Sequence, residues 1–589
     1  MALTSLPRPK MGAHARLALL LAALTAALLP ARLDSATPVL RTRQISLPNA
    51  PLPKRPLLMQ LNTRIIVAEL SQSLGQPASL DDIPDAMLDN LAGTGFHIVY
   101  LLGVWRTGAF GLNKSKKLLA QDPCMAGFSE EEVGSSPFAI TEYAVPEELG
   151  GDDALSRLCA RIRSRRMRVV VDFVPNHVAI DHPWVATHPH FLIKSRSDEH
   201  VRDPGSYFES GANMFAFGRG LLWEPWEDTV QLNYGEPELR TAMREILRKI
   251  AGMVDGVRCD VAMLVEQELL LSTWGSQLEP ERDASLQDTS EFWPTACSEA
   301  RRVNPTFLFI AESYWEREQA LMNKGFDFCY DKVFYDRLVQ GDGEGIDHLL
   351  NLGRDYQDKL VRFLENHDED RAASVFTNPD QHMAAAVLTF TSPGLQFVHD
   401  GQQAGRRRRI SMHIMRRLPE DEDVGDEQLK PRYKTLLKAV KGAALRDGAW
   451  ERCHVYERLG DGSETPCTRV MAHLCWSPPE GGGPFTEIVV CVVNYSPIPL
   501  NVRIAVTECG NGAKTITELL TGRVCFLSDR LGSRNVDIHG ESLTSKSRVR
   551  DAGRCGGWAG GRAWAGGRAW AGGRACVGTR FLGKTGDEM

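Results

Sequence analysis

Eight short apolar runs, separated by segments of helical periodicity, constrain the fold of this 589-residue chain more than any other feature. Each run has the length of a buried strand, and a helix-length segment follows it. The runs are Arg64–Leu70, His97–Val104, Val169–Val174, Gly256–Asp260, Phe307–Ala311, Phe326–Tyr330, Val361–Leu364 and Leu395–Val398. Strands that alternate with helices form parallel sheets, and eight such units predict an α/β fold, a (β/α)8 TIM barrel over residues 57–435.

One connection in this pattern is unusually long. About 55 residues rich in His, Trp, Phe and Gly lie between His177 and the helix that begins near Pro237. An insertion of this size in a barrel loop is usually functional, and it predicts an inserted domain after strand 3, at about residues 178–232. Beyond residue 435, the runs 487–493 and 500–506 are β-rich, which predicts a C-terminal antiparallel β domain over residues 436–532.

The two ends of the sequence read differently from the domains between them. Arg8, Lys10 and Arg16 precede the apolar run 17–29, which predicts a signal or targeting segment at residues 1–36 and a Pro-rich linker at 37–56. We therefore expect a secreted protein or one of the secretory pathway, with an organelle as the alternative, and no stable membrane insertion beyond that segment. A Trp-Ala-Gly-Gly-Arg-Ala hexamer repeats three times from Trp558 to Ala575, so residues 533–589 are predicted to be a low-complexity, disordered tail.

Charge and cysteine content exclude some classes of protein. The formal net charge is −7, and no sustained basic patch indicates a nucleic-acid partner. The basic run 406–409 is followed by the acidic run 420–423, which favours surface pairing or solvation. Of the 13 cysteines, six lie between Cys453 and Cys525, a density that predicts some disulfides in a secreted protein. The remaining, scattered cysteines are expected to be mostly buried thiols.

Polar residues end four of the predicted strands. The third strand leads into Asp172-Phe173-Val174-Pro175-Asn176-His177, the fourth carries Arg258 and Asp260, the fifth ends at Glu312, and the seventh at Asn366-His367-Asp368. Because the carboxyl ends of barrel strands meet at one mouth, these side chains are expected to converge. Taken singly, Asp172, His177 and Glu312 also fit structural or surface roles. The four motifs together favour a catalytic pocket.

Such a set of carboxylates suits the cleavage of glycosidic bonds with retention of configuration. That reaction requires one ionised carboxylate as nucleophile and one protonated carboxyl as acid. We expect Arg258 to keep Asp260 ionised by lowering its pKa, and the apolar surroundings of Glu312 to raise the pKa of that acid. Asp368 would stabilise the cationic transition state, with His177 and His367 as hydrogen-bonding partners.

The motifs resemble the signature regions of the α-amylase superfamily, glycoside hydrolase family 13. The first region matches Asp172 to His177, the second Gly256 to Asp260, the third Glu312 and the fourth Asn366 to Asp368. Gln231-Leu232-Asn233 resembles a further signature beside the barrel insertion, and the similarity runs from about residue 60 to 530. The resemblance implies a (β/α)8 barrel, an inserted domain B and a C-terminal β-sandwich domain C.

The resemblance also implies roles for single residues. Asp260 would be the nucleophile, Glu312 the acid/base and Asp368 the transition-state stabiliser. Arg258, His177 and His367 would bind the sugar, with Asp172 as a further substrate-binding candidate. Phe138, in Pro137-Phe138, stands where the family has a tyrosine that stacks on the sugar.

Two departures from the family pattern bear on specificity and on calcium. Met263 and Leu264 replace the Lys-His pair that many α-amylases carry after the nucleophile. In calcium-dependent members the equivalent of Asn176 is a ligand, helped by a backbone carbonyl near that histidine, so the sequence leaves calcium binding open. Trp105, Trp223 and Trp226 are further candidates for sugar platforms, and ordinary packing explains each of them equally well.

The predicted function is therefore hydrolysis of α-glucosidic bonds, with α-1,4 links in starch, glycogen or maltooligosaccharides as the expected substrates. The products would form by double displacement. The alternative is a transglycosylase or glucosyl isomerase on the same scaffold, because nothing in the sequence decides between water and a sugar as acceptor. A non-catalytic, amylase-like binding protein is a third reading, and the presence of all three carboxylates counts against it.

Overall fold

The computed structural model describes residues 51–196, 199–278, 291–417, 426–477, 488–498 and 500–505, with the backbone of short strands at 515–517, 524–526, 535–538 and 575–577. The chain divides into units 1–48 and 49–589, and the elements below lie in the second unit. The predicted targeting segment, most of the predicted linker and the Trp-rich repeat lie largely outside the described residues. Within the described part of the chain, no helix is long and apolar enough to span a bilayer.

Eight parallel strands close into a barrel, which confirms the predicted fold class. In chain order they are β1 (Leu57–Asn62), β2 (Ile98–Leu102), β3 (Arg168–Phe173), β4 (Gly256–Cys259), β5 (Leu308–Ala311), β6 (Phe328–Tyr330), β7 (Leu360–Arg362) and β8 (Leu395–His399). Each strand pairs with its neighbours in sequence, and β1 closes the barrel against β8. In the β3–β4 register, Arg258 lies beside Asp172, which brings two of the predicted site residues together.

Helices surround the barrel and cover its apolar exterior. The helix Pro237–Ala251 shows why: proline occupies its first turn, and Leu239, Met243, Leu247 and Ile250 form its buried stripe. The helices are Thr63–Leu74, Asp85–Thr94, Ala109–Leu118, Gly151–Ser164, Trp184–Thr187, Glu199–Arg202, Pro237–Ala251, Gln267–Trp274, Phe292–Val303, Glu318–Asn323, Lys332–Gln340, Gly343–Leu350, Arg354–Gln357, Ala372–Val375, Pro379–Thr391, Leu429–Val440 and Ala443–Arg446.

The first predicted strand is wrong. Residues 64–70 belong to the helix Thr63–Leu74, and the strand is the preceding run Leu57–Asn62. The Asn62 side chain accepts a hydrogen bond from Ile65 N, and Gly75 ends the helix in a left-handed conformation. These two capping signals outweigh the β-branched run Ile65-Ile66-Val67, which suggested a strand.

The inserted region after β3 folds back onto the barrel mouth. Strand His177–Ala179 pairs antiparallel with Thr229–Gln231, so both ends of the insertion meet beside β3. Strands Tyr207–Ser210 and Asn213–Ala216 form a hairpin within the insertion. A separate pair, Arg106–Thr107 with Ile140–Glu142, lies in the connection after β2. The insertion therefore forms one wall above the strand ends.

The C-terminal region contains an antiparallel sheet, as predicted. Its seven strands are Ala449–Arg458, Glu464–Pro466, Val470–Trp476, Ile488–Asn494, Val502–Ala505, Asn535–Ile538 and Ala575–Val577. Thr515–Thr517 pairs separately with Val524–Phe526. The predicted disulfides are not confirmed among the described residues, where Cys467, Cys475 and Cys491 are free thiols. In the basic run 406–409, Arg407 pairs with Asp426 at 3.0 Å, and the acidic run 420–423 lies outside the described residues.

Candidate active site

A cleft of about 770 Å³ opens at the carboxyl ends of the barrel strands, between the barrel and the inserted region. Three predicted carboxylates line it: Asp260, Glu312 and Asp368. Phe138, His177 and His367 line it as well. The strand-end motifs thus converge on one pocket, at the end of the barrel where (β/α)8 enzymes carry their active sites.

Arg258 connects the carboxylates beneath this cleft. Its Nη1 donates to Oδ1 of Asp260 at 2.6 Å and lies 3.9 Å from Oδ1 of Asp172. Its Nη2 lies 2.7 Å from Oε2 of Glu312, an ion pair whose angle is poor for a hydrogen bond. Only 1% of the Arg258 side chain is exposed, so this charge acts in a poorly solvated environment. The Arg258 guanidinium therefore lies close to the carboxylates of Asp172, Asp260 and Glu312 at the same time.

Glu312 has two further hydrogen bonds that set its orientation. The backbone N–H of Val261 donates to Oε2 at 2.8 Å, and the Tyr314 hydroxyl donates to Oε1 at 2.9 Å. Val261 has φ +38°, a left-handed conformation that is rare for a β-branched residue. This strained turn directly after Asp260 points the N–H toward Glu312, and strain of this kind concentrates at functional sites.

Burial changes the protonation of the carboxyl groups. Arg258 lowers the pKa of Asp260, as expected, but burial outweighs it and raises that pKa to about 6. Burial also raises the pKa of Glu312, as expected, although Arg258 opposes the shift. For Asp368, loss of hydration in the cleft and then the charge of Glu312 raise the pKa. The cluster accordingly favours holding a proton, which an acid/base pair requires.

His367 and Phe138 form a neutral platform beside Asp368. His367 Nε2 lies 3.0 Å from Oδ2 of Asp368, and Nδ1 contacts the Gln60 side-chain amide at 2.9 Å. The Phe138 ring stacks on His367 with centroids 5.2 Å apart, and the Arg258 guanidinium lies 5.3 Å from the Phe138 centroid. Burial lowers the pKa of His367, which keeps the imidazole uncharged.

His177 and Asp172 occupy different levels of the site. His177 faces the cleft and packs on Trp226 at 5.0 Å, and burial lowers its pKa to about 3. Asp172 is 1% exposed and lies below the cleft. Its carboxylate accepts from the Tyr100 hydroxyl and, at 3.3 Å, from Gly103 N. Asp172 therefore supports Arg258 rather than facing the cleft, where a substrate-binding candidate was expected.

Two aromatic residues that the sequence did not single out, Tyr314 and Trp315, complete the cleft. They lie two and three positions after Glu312, and Trp223 from the insertion packs on both, at 5.4 and 5.1 Å between ring centroids. Trp226 lies 5.9 Å from Trp223. Trp105, in contrast, is fully buried, and its Nε1 donates to Asp172 O. The aromatic pair Tyr314-Trp315, separated from Glu312 only by Ser313, was the available signal in the sequence.

Asn176 does not offer an arrangement that fits calcium. Its Oδ1 accepts from Gln231 Nε2 at 3.0 Å, and its Nδ2 donates to Gln231 Oε1 at 3.3 Å. Nδ2 also donates to the Arg219 carbonyl at 3.4 Å. No group of three or more His, Cys, Asp or Glu side chains in the described segments could hold a metal ion.

Thermal unfolding is expected to be insensitive to calcium for this reason. A site occupied at 100 times its Kd would add about 2.7 kcal/mol to the free energy of unfolding. We expect Tm to change by less than about 1 °C between excess EDTA and millimolar CaCl2, with MgCl2 as the matched control. A rise of several degrees that is specific to calcium and reversed by EDTA would contradict this assignment.

A parallel barrel with carboxylates from β4, β5 and β7 at its mouth defines the architecture of a glycosidase-type (β/α)8 protein. Comparisons with known proteins agree with that class. The family model for the α-amylase catalytic domain matches residues 135–324. This match agrees with the resemblance to the α-amylase superfamily, glycoside hydrolase family 13.

The curated relatives are distant and only partly covered. An α-amylase of Haloarcula japonica is 24% identical over 283 residues, which are 46% of this chain and 37% of the relative. A probable oligo-1,6-glucosidase of Bacillus subtilis is 21% identical over 371 residues, 56% of this chain and 64% of the relative. The chain therefore aligns with less than two thirds of the length of either relative.

Solved structures support the fold over a larger share of the chain. A maltogenic α-amylase of Thermotoga neapolitana superposes with TM-score 0.57 at 20% identity, covering 82% of this chain and 96% of that one. An α-amylase of Geobacillus thermoleovorans, complexed with acarbose, gives TM-score 0.55 at 16% identity, covering 82% and 95%. At these identities the likeness shows the shared fold.

Proposed function

We propose that this protein is a retaining α-glycosidase. The observation that carries the proposal is the attachment of Asp260 and Glu312 to the two terminal nitrogens of the same guanidinium, at 2.6 and 2.7 Å. Two carboxylates on one guanidinium are close together. Such proximity suits the separation of about 5–5.5 Å needed for direct nucleophilic attack better than the wider gap of inverting enzymes.

The proposed mechanism is a double displacement. Asp260 attacks the anomeric carbon and forms a glycosyl ester, while Glu312 donates its proton to the leaving oxygen. Glu312 then takes a proton from water, which hydrolyses the ester and restores both carboxyl groups. The Asp368 carboxylate and the neutral His367 and His177 are placed to bind the sugar hydroxyls, and Arg258 stabilises the ionised form of Asp260.

The proposed substrates are α-glucosidic bonds, mainly α-1,4, in oligo- or polysaccharides such as maltooligosaccharides, glycogen or starch. The matched relatives include proteins named α-amylase, α-glucosidase and cyclomaltodextrin glucanotransferase, which supports this substrate class. The predicted N-terminal segment supports entry into the secretory pathway, and we propose the domain limits 57–435 and 436–532 for the barrel and the β domain.

Transfer to a sugar acceptor is the second candidate. Trp223, Tyr314 and Trp315 form aromatic surface next to Glu312, and aromatic surface favours binding of a second sugar over water alone. A non-catalytic binding protein is less well supported, because Asp260, Glu312 and Asp368 all line the cleft.

Product analysis tests the proposal. The full chain is incubated with maltoheptaose and with soluble starch, beside Asp260→Asn as the control. We expect short maltooligosaccharides, released as α-anomers in NMR spectra taken before mutarotation, and no products from the variant. Products longer than the substrate would favour the transglycosylase. If neither protein forms products from these substrates or from sucrose, trehalose and isomaltooligosaccharides, the glycosidase proposal is overturned and a binding protein is favoured.

A further inference from the structure

The segment that continues from Glu312 borders the leaving-group side of the cleft. If Glu312 protonates the departing oxygen, the sugar attached to that oxygen lies next to Glu312 and the residues that follow it. We call these cleft-lining residues the acceptor wall; it consists of Tyr314, Trp315, Glu318, Lys332, Val333 and Asp336.

The backbone of this wall is strained. Trp315 and Glu316 both have φ +58°, although neither is glycine. Left-handed conformations of this kind cost about 1–3 kcal/mol each and persist where the surroundings enforce them. These two residues lead from Trp315, whose ring packs on Trp223 at 5.1 Å, to Glu318, which lines the same cleft.

Glu318 is the uncommitted polar group of the acceptor wall. The residue is 5% exposed, and its carboxyl accepts a hydrogen bond from its own backbone N–H. Among the described residues, no hydrogen bond or ion pair joins the carboxyl to another side chain. The other titratable groups of the wall have partners: the Tyr314 hydroxyl donates to Glu312, and Lys332 pairs with both Asp336 and Glu369. A buried carboxyl that faces a cleft without a side-chain partner retains capacity for hydrogen bonds to a ligand.

The surroundings of Glu318 favour a neutral ligand. Burial, and then the nearby Asp331 and Glu316, raise the pKa of Glu318 to about 7. Near neutrality the group is present both as carboxylate and as carboxylic acid, so it can accept from a hydroxyl or donate to one. A sugar fits these surroundings, because its hydroxyls can donate or accept hydrogen bonds and its ring can stack against aromatic side chains.

We propose that Glu318 is an acceptor-binding residue that hydrogen-bonds hydroxyls of the sugar on the leaving-group side while that sugar packs on Trp315 and Trp223. The inference rests on the proposed function, because the direction of the cleft follows from the acid role of Glu312. It assigns Glu318 to selection of the leaving group and acceptor, and not to the bond-breaking step.

Glu318→Gln separates these two roles, and Glu344→Gln is the matched control because that residue is exposed and outside the cleft lining. α-Glucosyl fluoride and α-maltosyl fluoride occupy the donor side and carry no leaving-group sugar. We expect fluoride release without acceptor to stay within about twofold of wild type in both variants. We expect Glu318→Gln alone to raise KM for maltoheptaose by about tenfold, and to raise the half-saturating concentration of maltose as acceptor equally. A tenfold change is the size of one lost hydrogen bond to a charged group.

Unchanged KM and acceptor saturation in Glu318→Gln would overturn the inference, as would an equal change in Glu344→Gln. Loss of fluoride release in Glu318→Gln would place the residue in the bond-breaking step and also overturn it. If wild type releases no fluoride and cleaves no oligosaccharide, the proposed function fails. The inference about Glu318 is then tested separately by measuring maltose binding through the change in tryptophan fluorescence. About tenfold weaker binding to Glu318→Gln supports it, and equal binding of both proteins overturns it.

Discussion

Glu312→Gln is expected to lower kcat on maltooligosaccharides by about 10²–10⁴-fold while the first-turnover burst of fluoride release from an α-glycosyl fluoride falls far less, whereas Asp260→Asn is expected to lose both by about 10⁴-fold or more. A sugar alkoxide is a poor leaving group and needs the proton of Glu312. Fluoride departs without protonation, so the acid becomes dispensable in that step. The nucleophile is needed for either substrate, because the glycosyl ester must form on Asp260.

The same pair of variants distinguishes the second half of the reaction. In Glu312→Gln the glycosyl ester on Asp260 lacks the base that activates water, so it should accumulate and add the mass of the sugar in intact-protein spectra. Azide needs no general base and should restore turnover, with an α-configured glycosyl azide as product. Glu344→Gln, an exposed change of the same type, serves as the control. Equal losses on both substrates in both variants would contradict the assigned roles.

The barrel strands were readable from the sequence because each is an apolar run that ends at a polar residue. The runs before Asp260, Glu312 and Asn366 could each be placed to within a few residues for this reason. β1 was missed because Pro53 and Pro56 made the preceding stretch resemble a linker. The helix that follows it depends on capping by Asn62, a local contact that periodicity does not reveal.

The sequence predicted which residues form the candidate site, but not which of them contact one another. The strand-end motifs name Arg258, Asp260, Glu312 and Asp368, because a parallel barrel brings strand ends together whatever the loops do. That Arg258 reaches Glu312 as well as Asp260 depends on register and rotamer, which the sequence does not display. The balance of burial against charge likewise decided the pKa of Asp260, and burial depends on packing across several elements.

The loop residues of the cleft were the least predictable. Trp223 meets Trp315 only because the insertion folds back through the pairing of His177–Ala179 with Thr229–Gln231. Glu318 looks like an ordinary acidic residue at the start of a helix until its burial in the cleft is seen. Contacts between segments about 90 positions apart leave no periodic signal in either segment.

Arg258→Met is expected to abolish activity and to lower the free energy of unfolding by about 3–5 kcal/mol at neutral pH, the cost of breaking a buried ion pair by removing one partner. Without the guanidinium, Asp260, Glu312 and Asp172 lose the cation that each now lies near. Their pKa values should then rise further, because burial raises them and Arg258 is the leading opposing influence. Asp260 would be protonated at pH 7 and unable to act as nucleophile.

The pH dependence of this loss identifies its electrostatic origin. A carboxyl whose pKa is higher in the folded state holds its proton more tightly there than in the unfolded state. The free energy of unfolding therefore falls as pH rises from the unfolded-state pKa near 4 to the folded-state pKa. In wild type the Asp260 contribution is complete near pH 6, whereas in Arg258→Met the fall continues to higher pH. The stability difference between the two proteins, measured by urea unfolding, should therefore be small near pH 5 and largest near pH 8.

Neutralising the carboxylates provides the matched control for Arg258→Met. Adding Asp260→Asn and Glu312→Gln removes two of the groups whose ionisation opposes folding in that variant, so the triple variant should recover stability at pH 8 and lose most of the pH dependence. It should remain inactive, which separates folding from catalysis. A stability difference that is the same at pH 5 and pH 8 would instead mean that Arg258 acts through packing against Phe138 and Tyr330. In that case the added substitutions would restore nothing, and the charge-sharing account of the site would have to be abandoned.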